Sequence, residues 1–207
     1  YAQRVRGGKK LHIAHIGDSH ILGDYLTREV RRRLQREFGN AGRGLVFPYK
    51  LASSNGPLDF MVEATGRWQG SNCQRDLNLI TRYGLSGFLL QTTTPNGSLY
   101  FRLRDSATSE VHLFSKITVF HRKTSEDFDF EIYDEQTRQY AKLLIEGAQY
   151  RSYYFDRPVS QFTLNAAPTQ EGQRKLEIDG IVVENELSGV IYHTIGVNGA
   201  KFSDFAR

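Results

Sequence analysis

The stretch Leu-His-Ile-Ala-His-Ile-Gly-Asp-Ser-His, residues 11–20, decides what the first part of the chain can be. Residues 11–16 are mostly apolar and predict a buried strand, and the segment after Ser19 has the apolar spacing of a helix. Ser19 is therefore expected at a strand-to-helix turn. Enzymes activate a serine hydroxyl by exposing it at the carboxyl end of a strand, beside a base and near backbone N–H donors. The first N–H groups of the following helix would face a developing oxyanion.

A second interpretation of this turn remains open. Gly, Asp and Ser are also the usual residues of a connection between a strand and a helix. In that interpretation Asp18 or Ser19 caps the helix and takes no part in chemistry.

Further segments accompany the Gly-Asp-Ser-His motif of residues 17–20. They read Phe-Gly-Asn-Ala-Gly-Arg-Gly-Leu at 38–45, Ser-Gly-Val-Ile-Tyr at 188–192 and Gly-Val-Asn-Gly-Ala at 196–200. Together they resemble the SGNH/GDSL hydrolases, in particular their exported, GDSH-bearing branch of carbohydrate and peptidoglycan O-acetylesterases of Bacteroidetes type. The resemblance covers residues 11 to about 57 and about 179 to 205.

The resemblance implies roles for several residues. Ser19 matches the nucleophile, and its own N–H is one oxyanion donor. Gly199 matches the glycine whose N–H is a second donor, and a residue without Cβ suits this role because it lets a substrate oxygen approach the backbone. Asp18, His20 and Asn198 are supporting candidates.

Two further blocks of the family are missing from the sequence. One is Gly-x-Asn-Asp or Gly-x-Asn-Glu, which supplies an asparagine donor, and the other is Asp-x-x-His, which supplies the base and its carboxylate. No histidine here has an aspartate three positions before it, and only 8 residues follow Gly199. The chain therefore looks like the N-terminal part of a hydrolase. A degenerate third block at Gly196-Val197-Asn198 is an alternative that stays open.

The formal charge of +4 is concentrated at the front of the chain. Residues 1–45 contain ten Lys/Arg and four Asp/Glu. Four of the arginines, at 31, 32, 33 and 36, fall in a segment whose apolar residues are spaced by four (Leu22, Leu26, Val30, Leu34, Phe38), which predicts a helix with a solvated basic face. The alternative to a solvated face is a surface that binds an anionic polymer, such as an acidic glycan or a nucleic acid. The solvated face is the favoured interpretation, so no nucleic-acid partner is expected. Asp24 is predicted to cap this helix, which ends at Gly39.

The stretch 39–57 is rich in Gly, Asn, Ser and Pro and is predicted to be a long loop. Long loops often line a functional site. Arg43, Tyr49 and Lys50 are therefore candidate substrate contacts, and a purely structural loop is the alternative.

Period-two patterns dominate from residue 59 to 192. Examples are the alternating segments 99–103, 117–120 and 128–132, and the pairs Phe162/Leu164 and Leu176/Ile178 continue the series. They predict an antiparallel β-sandwich, jelly-roll-like, with a tight hairpin at Asp179-Gly180. The resemblance makes this sandwich an insertion of the carbohydrate-binding kind. Trp68, Tyr83 and Tyr100 are candidates to stack on sugars, although core or scattered surface positions are the alternative.

The predicted fold class is therefore α/β plus β, in three segments. Residues 1–58 and 193–207 belong to an SGNH three-layer α/β/α domain, and residues 59–192 form the β-sandwich that interrupts it. No apolar run of 18 residues predicts a membrane span, and the single cysteine, Cys73, offers no disulfide or metal cluster. We expect no metal and no cofactor. The resemblance implies a periplasmic or secreted protein whose export signal lies outside these residues.

Two functions from different classes follow. The first is a serine esterase that de-O-acetylates a carbohydrate or peptidoglycan, with its His/Asp pair in a remaining C-terminal part of the hydrolase domain, so that residues 1–207 alone are inactive. The second is a non-catalytic glycan-binding protein with a vestigial hydrolase front.

Overall fold

The computed structural model describes residues 8–75, 83–104 and 112–205. Most of the ordered elements are strands, and the α-helices are short or single. In chain order the elements are β1 (Lys10–Gly17), α1 (Ser19–Leu22), α2 (Tyr25–Phe38), β2 (Gly44–Val46), β3 (Phe60–Thr65), β4 (Trp68–Asn72), β5 (Phe88–Thr92), β6 (Ser98–Leu103), β7 (Phe114–Phe120), β8 (Asp129–Asp134), β9 (Gln139–Tyr140), β10 (Lys142–Glu146), β11 (Tyr150–Val159), β12 (Gln161–Ala167), β13 (Leu176–Ile178), β14 (Gly180–Glu184) and β15 (Gly189–Gly196), with 3-10 turns at Tyr49–Ala52 and Phe202–Asp204.

The first and last strands form a small parallel unit. β1 pairs with β15 from Lys10↔Gly189 to Gly17↔Gly196, and α1 and α2 both pack on β15. The predicted strand at 11–16 and the predicted helix that ends at Phe38 are formed. The predicted burial of the strand is wrong, because within the described residues β1 has only β15 beside it, and His12, Ala14 and Ile16 are exposed. The three-layer α/β/α domain is not shown, because the described residues contain only these two parallel strands and two α-helices.

The rest of the described chain is an antiparallel sandwich, as predicted. One five-stranded sheet has the order β10-β11-β7-β14-β2, and the other has the order β3-β6-β12-β8-β9. A three-stranded sheet, β13-β5-β4, lies beside them. The core between the sheets is built from large apolar side chains, because alternate residues of each strand point to the same face. Its largest fully buried members include Phe47, Phe88, Phe101, Phe114 and Phe162.

Helix α2 buries a different face from the one its apolar residues predict. Leu26 is 62% exposed, whereas Thr27 and Arg31 are buried. Arg31 can lie inside because its guanidinium is 2.7 Å from the carboxylates of both Asp24 and Asp59. The prediction of a solvated face is therefore wrong for Arg31. It holds for the exposed Arg32 and Arg33, which both pair with Glu29.

The start of α2 also differs from the prediction. Asp24 precedes the helix, but its φ is 57° and its side chain makes no capping bond to the backbone. The carboxylate instead accepts hydrogen bonds from Thr27 Oγ1 at 2.5 Å and from Arg31. The predicted capping role of Asp24 is therefore replaced by an interaction between side chains.

The predicted loop at 39–57 contains regular structure. Residues 44–46 form β2, which pairs antiparallel with β14, and residues 41–49 are all buried. Buried backbone groups need hydrogen-bond partners, and this pairing supplies them. The sequence boundary at 58/59 therefore falls after a strand of the sandwich, and the boundary at 192/193 falls within β15.

The predicted hairpin at Asp179-Gly180 is not formed. β13 pairs with β5, whereas β14 pairs with β2 and β7, so the chain changes from one sheet to another at Asp179. The Asp179 N–H donates to the Phe120 carbonyl at 2.8 Å, which extends the β7–β14 pairing and leaves no turn between β13 and β14.

Asp179 predicts a pH dependence of stability. Burial raises the pKa of its carboxyl to about 6, partly opposed by Arg122. Between about pH 4 and pH 6 the folded state then binds more protons than the unfolded state, so stability falls as the pH rises through this range. In the wild type, Asp179 should lower the free energy of unfolding by up to about 3 kcal/mol between pH 4 and pH 7, and Asp179→Asn should abolish this decrease.

Urea denaturation at several pH values tests this expectation. The exposed Glu171→Gln is the control, and its pH profile should follow the wild type. A profile of Asp179→Asn that is parallel to the wild type would show that Asp179 is not responsible.

Candidate active site

Ser19 is exposed at the turn between β1 and α1. Asp18 is the N-cap of α1, and its carboxylate accepts a hydrogen bond from the His20 N–H at 3.0 Å. The same oxygen lies 3.1 Å from His20 Nδ1. These bonds to His20 lower the pKa of Asp18. Asp18 and His20, the two neighbours of Ser19, therefore interact with each other. Ser19 itself is the first residue of the helix and lies at the surface.

Two glycines let α1 lie directly on the strand ends. Gly17 and Gly196 are paired in register as the last residues of β1 and β15. A Cβ on Gly196 would lie 2.3 Å from the Leu22 backbone nitrogen, and a Cβ on Gly17 would lie 2.5 Å from Ile21 Cγ1. A side chain at position 196 would collide with the backbone of α1, and one at position 17 would displace the Ile21 side chain. The absence of side chains thus places Ser19 at the carboxyl edge of both parallel strands.

The turn that contains Gly199 follows β15 at this same edge. Val197 N–H donates to the Gly17 carbonyl at 3.2 Å, and Ala200 N–H closes the turn onto the Val197 carbonyl at 3.1 Å. Gly199 has a φ of +72°, a conformation that glycine adopts without strain. A Cβ there would meet only the Gln74 side chain, at 3.8 Å. The two hydrogen bonds that hold this turn, from Val197 and Ala200, do not involve the Gly199 N–H.

Asn198 anchors this turn to the chain that follows the first 3-10 turn. Its Nδ2 donates to Asn55 Oδ1 at 2.8 Å and lies 3.4 Å from Ser54 Oγ. The structure therefore brings Ser19, Gly199 and Asn198 to one edge of the parallel unit. Asn198 has a structural partner there.

The histidines of the described chain have partners other than Ser19. His12 Nδ1 lies 3.0 Å from His193 Nε2, and His15 Nδ1 lies 2.5 Å from the Tyr192 hydroxyl. Burial lowers the pKa of His193 to about 4, and the neighbouring His12 adds to this effect. His121 is buried against Phe130 in the sandwich. None of these contacts supplies Ser19 with a base.

The sixth histidine, His112, lies at a cleft of about 680 Å³. This cleft is bordered by Asn40, Gly42 and the 185–187 loop, which precedes the first residue of β15. Ser19, in contrast, comes two residues after the last residue of β1. Because β1 and β15 run parallel, the cleft and Ser19 lie at opposite ends of these two strands. The cleft is therefore separate from the candidate active site.

The structure corrects two of the three substrate contacts predicted in the 39–57 stretch. The Arg43 side chain is only 5% exposed and pairs with Asp59 and Asp24. Tyr49 is buried, with its ring 5.1 Å from that of Phe88. Arg43 is surrounded by carboxylates and Tyr49 by the apolar core, so neither side chain is available to a substrate. Lys50 is exposed.

The three aromatic residues predicted to stack on sugars are all half-buried. Trp68 and Tyr83 pack against the core, and the Trp68 indole N–H donates to the Thr65 carbonyl at 2.9 Å. The Tyr100 hydroxyl donates to Gln161 Oε1 at 2.9 Å. Stacking on a sugar by these residues stays a prediction.

Sequence reasoning missed the buried cluster of Asp24, Arg31, Arg43 and Asp59 next to α1. The only sequence signal is the presence of charged residues in otherwise apolar or turn-forming segments. Within the described residues, no group of His, Cys, Asp and Glu side chains is arranged to hold a metal ion, and no helix has the length and apolarity to cross a membrane.

Comparisons with known proteins concern the fold. No protein-family model matches the sequence, and no curated protein is similar to it. The chain is similar in structure to a peptidoglycan O-acetylesterase, with a TM-score of 0.68 and 22% identity over 99% of this chain. The match covers 52% of that structure, so the chain spans about half the length of this relative.

Weaker similarities are found to two other solved structures. They are a family 32 carbohydrate-binding module (CBM) from C. perfringens NanJ in complex with galactose and the Streptococcus pneumoniae β-galactosidase BgaA, each over 69% of this chain. They cover 99% and 98% of those chains, with TM-scores of 0.40 and 0.43 and identities of 13% and 9%. At this level they add nothing to the assignment of a function. The fold of the described residues is thus that of part of an esterase structure, with an antiparallel sandwich as its larger portion.

Proposed function

We propose that this chain supplies the nucleophile and the oxyanion donors of a serine esterase of the SGNH/GDSL type. The observation that best supports the proposal is that two features lie at the carboxyl edge of the parallel strands β1 and β15. An exposed serine begins a helix at the end of β1, and a turn that contains a glycine with positive φ follows the adjacent parallel strand β15. Hydrolases whose nucleophilic serine lies at a strand-to-helix turn combine it with nearby backbone N–H donors in this way.

The reaction is acyl transfer. Ser19 Oγ attacks the ester carbonyl while its proton passes to a base, and the carbonyl oxygen becomes an oxyanion held by the N–H groups of Ser19 and Gly199. Collapse of this intermediate breaks the bond to the alcohol, which leaves with a proton, and water then releases the acyl group from Ser19. A His/Asp pair from outside the described residues moves the protons.

An O-acetylated carbohydrate is the proposed substrate class, with peptidoglycan as the specific candidate. The proposal is supported by the sequence resemblance of residues 15–20 and 196–200 and by the similar fold of a peptidoglycan O-acetylesterase. Such a substrate places the protein in the periplasm or outside the cell.

Gly199→Val tests the oxyanion role. The added side chain would obstruct the approach of the substrate oxygen, and we expect turnover of p-nitrophenyl acetate by the full-length protein to fall by about a hundredfold or more. Gly172→Val is the matched control. Gly172 also has a positive φ, +92°, and a Cβ at this position would have nothing within 4 Å, so Gly172→Val imposes the same backbone strain away from Ser19. Equal losses in the two variants would attribute the effect to strain rather than to the oxyanion.

A non-catalytic glycan-binding protein is the second candidate function. The observation that favours it is that the described histidines with assigned contacts all bond to residues other than Ser19. This function is supported if the full-length protein binds acetylated glycans but neither hydrolyses esters nor reacts with a fluorophosphonate.

A further inference from the structure

Four charged side chains form a buried cluster beside the helix that begins at Ser19. Arg31 contacts Asp24 through two bonds, at 2.7 and 3.1 Å, and contacts Asp59 at 2.7 Å. Arg43 contacts Asp59 at 3.0 and 3.1 Å and Asp24 at 3.3 Å. The four side chains are between 3% and 14% exposed. Two positive and two negative charges therefore neutralise each other out of water.

The cluster connects the nucleophile turn to both sheets of the sandwich. Asp24 lies between α1 and α2, and Arg31 lies on α2. Arg43 precedes β2, and its Nη1 donates to the Leu45 carbonyl at 2.7 Å. Asp59 precedes β3, and its carbonyl accepts a hydrogen bond from the Arg104 N–H at 2.9 Å. These four residues thus connect the two helices, the start of β2 and the start of β3.

Helix α1 ends directly beside this cluster. It has only four residues, and a helix of this length has no stability of its own. Gly17 and Gly196 support it from the strand ends, and Asp24 N–H bonds to the Ile21 carbonyl at 3.1 Å at its other end. Asp24 itself has a positive φ, which is unfavourable for a residue with a side chain unless its surroundings hold it there.

Stability alone is a weak explanation for such a cluster. Well-packed apolar residues of similar volume often stabilise a protein as much as a buried ion pair does, because the charges lose their hydration. Charge-assisted hydrogen bonds are directional, so they fix the relative positions of the groups that they join, and a bidentate arginine does this most strongly.

We propose that Asp24, Arg31, Arg43 and Asp59 are positioning residues for Ser19. The cluster holds the end of α1, and so sets the direction of the Ser19 hydroxyl and N–H relative to the Gly199 turn and to the sandwich. This inference rests on the proposed esterase function. Misplacement of a reacting group by about 1 Å can reduce a rate by about a hundredfold.

The test replaces one ion pair by apolar residues in the full-length protein. Arg43→Met with Asp59→Leu removes the link to the sandwich as a neutral pair and leaves the Asp24–Arg31 pair intact. We expect kcat for p-nitrophenyl acetate and the rate of fluorophosphonate labelling of Ser19 to fall at least tenfold, with little change in KM. Both are measured well below the melting temperature of the variant.

A matched control separates positioning from general loss of stability. Arg151 pairs with Glu146 at 2.7 Å and with Asp129 at 3.1 Å on the far edge of the sandwich, and its side chain is 8% exposed. Lys123 lies 3.3 Å from Asp129, so this carboxylate keeps a cationic partner when Arg151 and Glu146 are replaced. Arg151→Met with Glu146→Leu should leave kcat and the labelling rate unchanged, whatever its effect on the melting temperature. If the Arg43/Asp59 variant does not fold, Arg43→Lys replaces it, because lysine keeps the charge but loses the bidentate geometry.

The outcomes distinguish the two proposals. Labelling of the Arg43/Asp59 variant or of Arg43→Lys at the wild-type rate overturns the positioning role and leaves the esterase function in place. An equal loss of kcat in the Arg151/Glu146 control also overturns it. A wild type that neither reacts with the fluorophosphonate nor hydrolyses esters overturns the esterase function, and the positioning role falls with it because no reactive serine remains to be positioned.

Discussion

Ser19→Ala is expected to abolish ester hydrolysis and fluorophosphonate labelling by the full-length protein. Loss of a serine nucleophile from an acyl-transfer site typically lowers kcat by about 10⁶, because no other group can form the acyl intermediate. Ser19 is exposed at the first position of α1, so its replacement removes little packing and the fold should persist. Turnover of p-nitrophenyl acetate and gel-based labelling are the measurements, with circular dichroism to check the fold.

Ser203→Ala is the control for this prediction. Ser203 is also exposed, in the 3-10 turn Phe202–Asp204, and its replacement should leave activity and labelling unchanged. Persistent labelling of Ser19→Ala would place the nucleophile elsewhere. Absence of reaction in the wild type, together with retained glycan binding, would support the non-catalytic function instead.

Arg43→Met is expected to lower the free energy of unfolding by about 3–5 kcal/mol, the usual cost of leaving a buried charge without its partner. Arg43 is the bidentate partner of Asp59 and also contacts Asp24. After the substitution Arg31 alone must neutralise two buried carboxylates. Urea denaturation at pH 7 measures the change. A folding stability equal to that of the wild type would show that the cluster tolerates an unpaired charge and is less enclosed than the contacts indicate.

Arg32→Met is the control, since it also removes an arginine from an ion pair but does so at an exposed position. Its side chain is 55% exposed and pairs with Glu29 on the surface of α2. An exposed ion pair is screened by solvent and contributes little to stability, so Arg32→Met should change stability far less than Arg43→Met.

The effect of Arg43→Met should also depend on pH. Burial opposes ionisation of Asp59, but Arg43 and Arg31 more than compensate and lower its pKa below the ordinary value. The stabilisation from this carboxylate is present above its unfolded-state pKa and is lost as the pH falls through the lowered folded-state value. The difference between wild type and Arg43→Met should therefore shrink in acid.

Local sequence patterns predicted some of the individual elements, whereas strands such as β4, β5, β10 and β11 were not located by them. Alternation of apolar and polar residues located strands such as β6, β7, β8 and β12, and the Gly-Asp-Ser turn located the start of α1. These signals are local, because a strand has period two and a turn needs particular residues at particular positions. The strand–turn–helix pattern also made Ser19 a candidate, whereas Gly199 was a candidate only through the resemblance.

Pairing between strands that are distant in the sequence determined the features that local patterns could not predict. Residues 44–46 belong to a sheet only because β14 lies beside them, and the chain passes Asp179 without a hairpin because β13 and β14 have partners in different sheets. A short strand and a turn have similar compositions, so only the partner strand distinguishes them.

The sequence by itself determined the strand–serine–helix unit, the helix that ends at Phe38 and the sandwich class, because hydrophobic period and turn chemistry act within a few residues. Only the tertiary structure decided that Arg31 and Arg43 are buried, that Gly17 and Gly196 lie side by side under α1, and that the Gly199 turn shares an edge with Ser19. An arginine can leave water only when carboxylates from other segments surround it, and Asp59 reaches Arg31 and Arg43 from the start of β3. That condition depends on residues far apart in the chain, so no local pattern in the sequence expresses it.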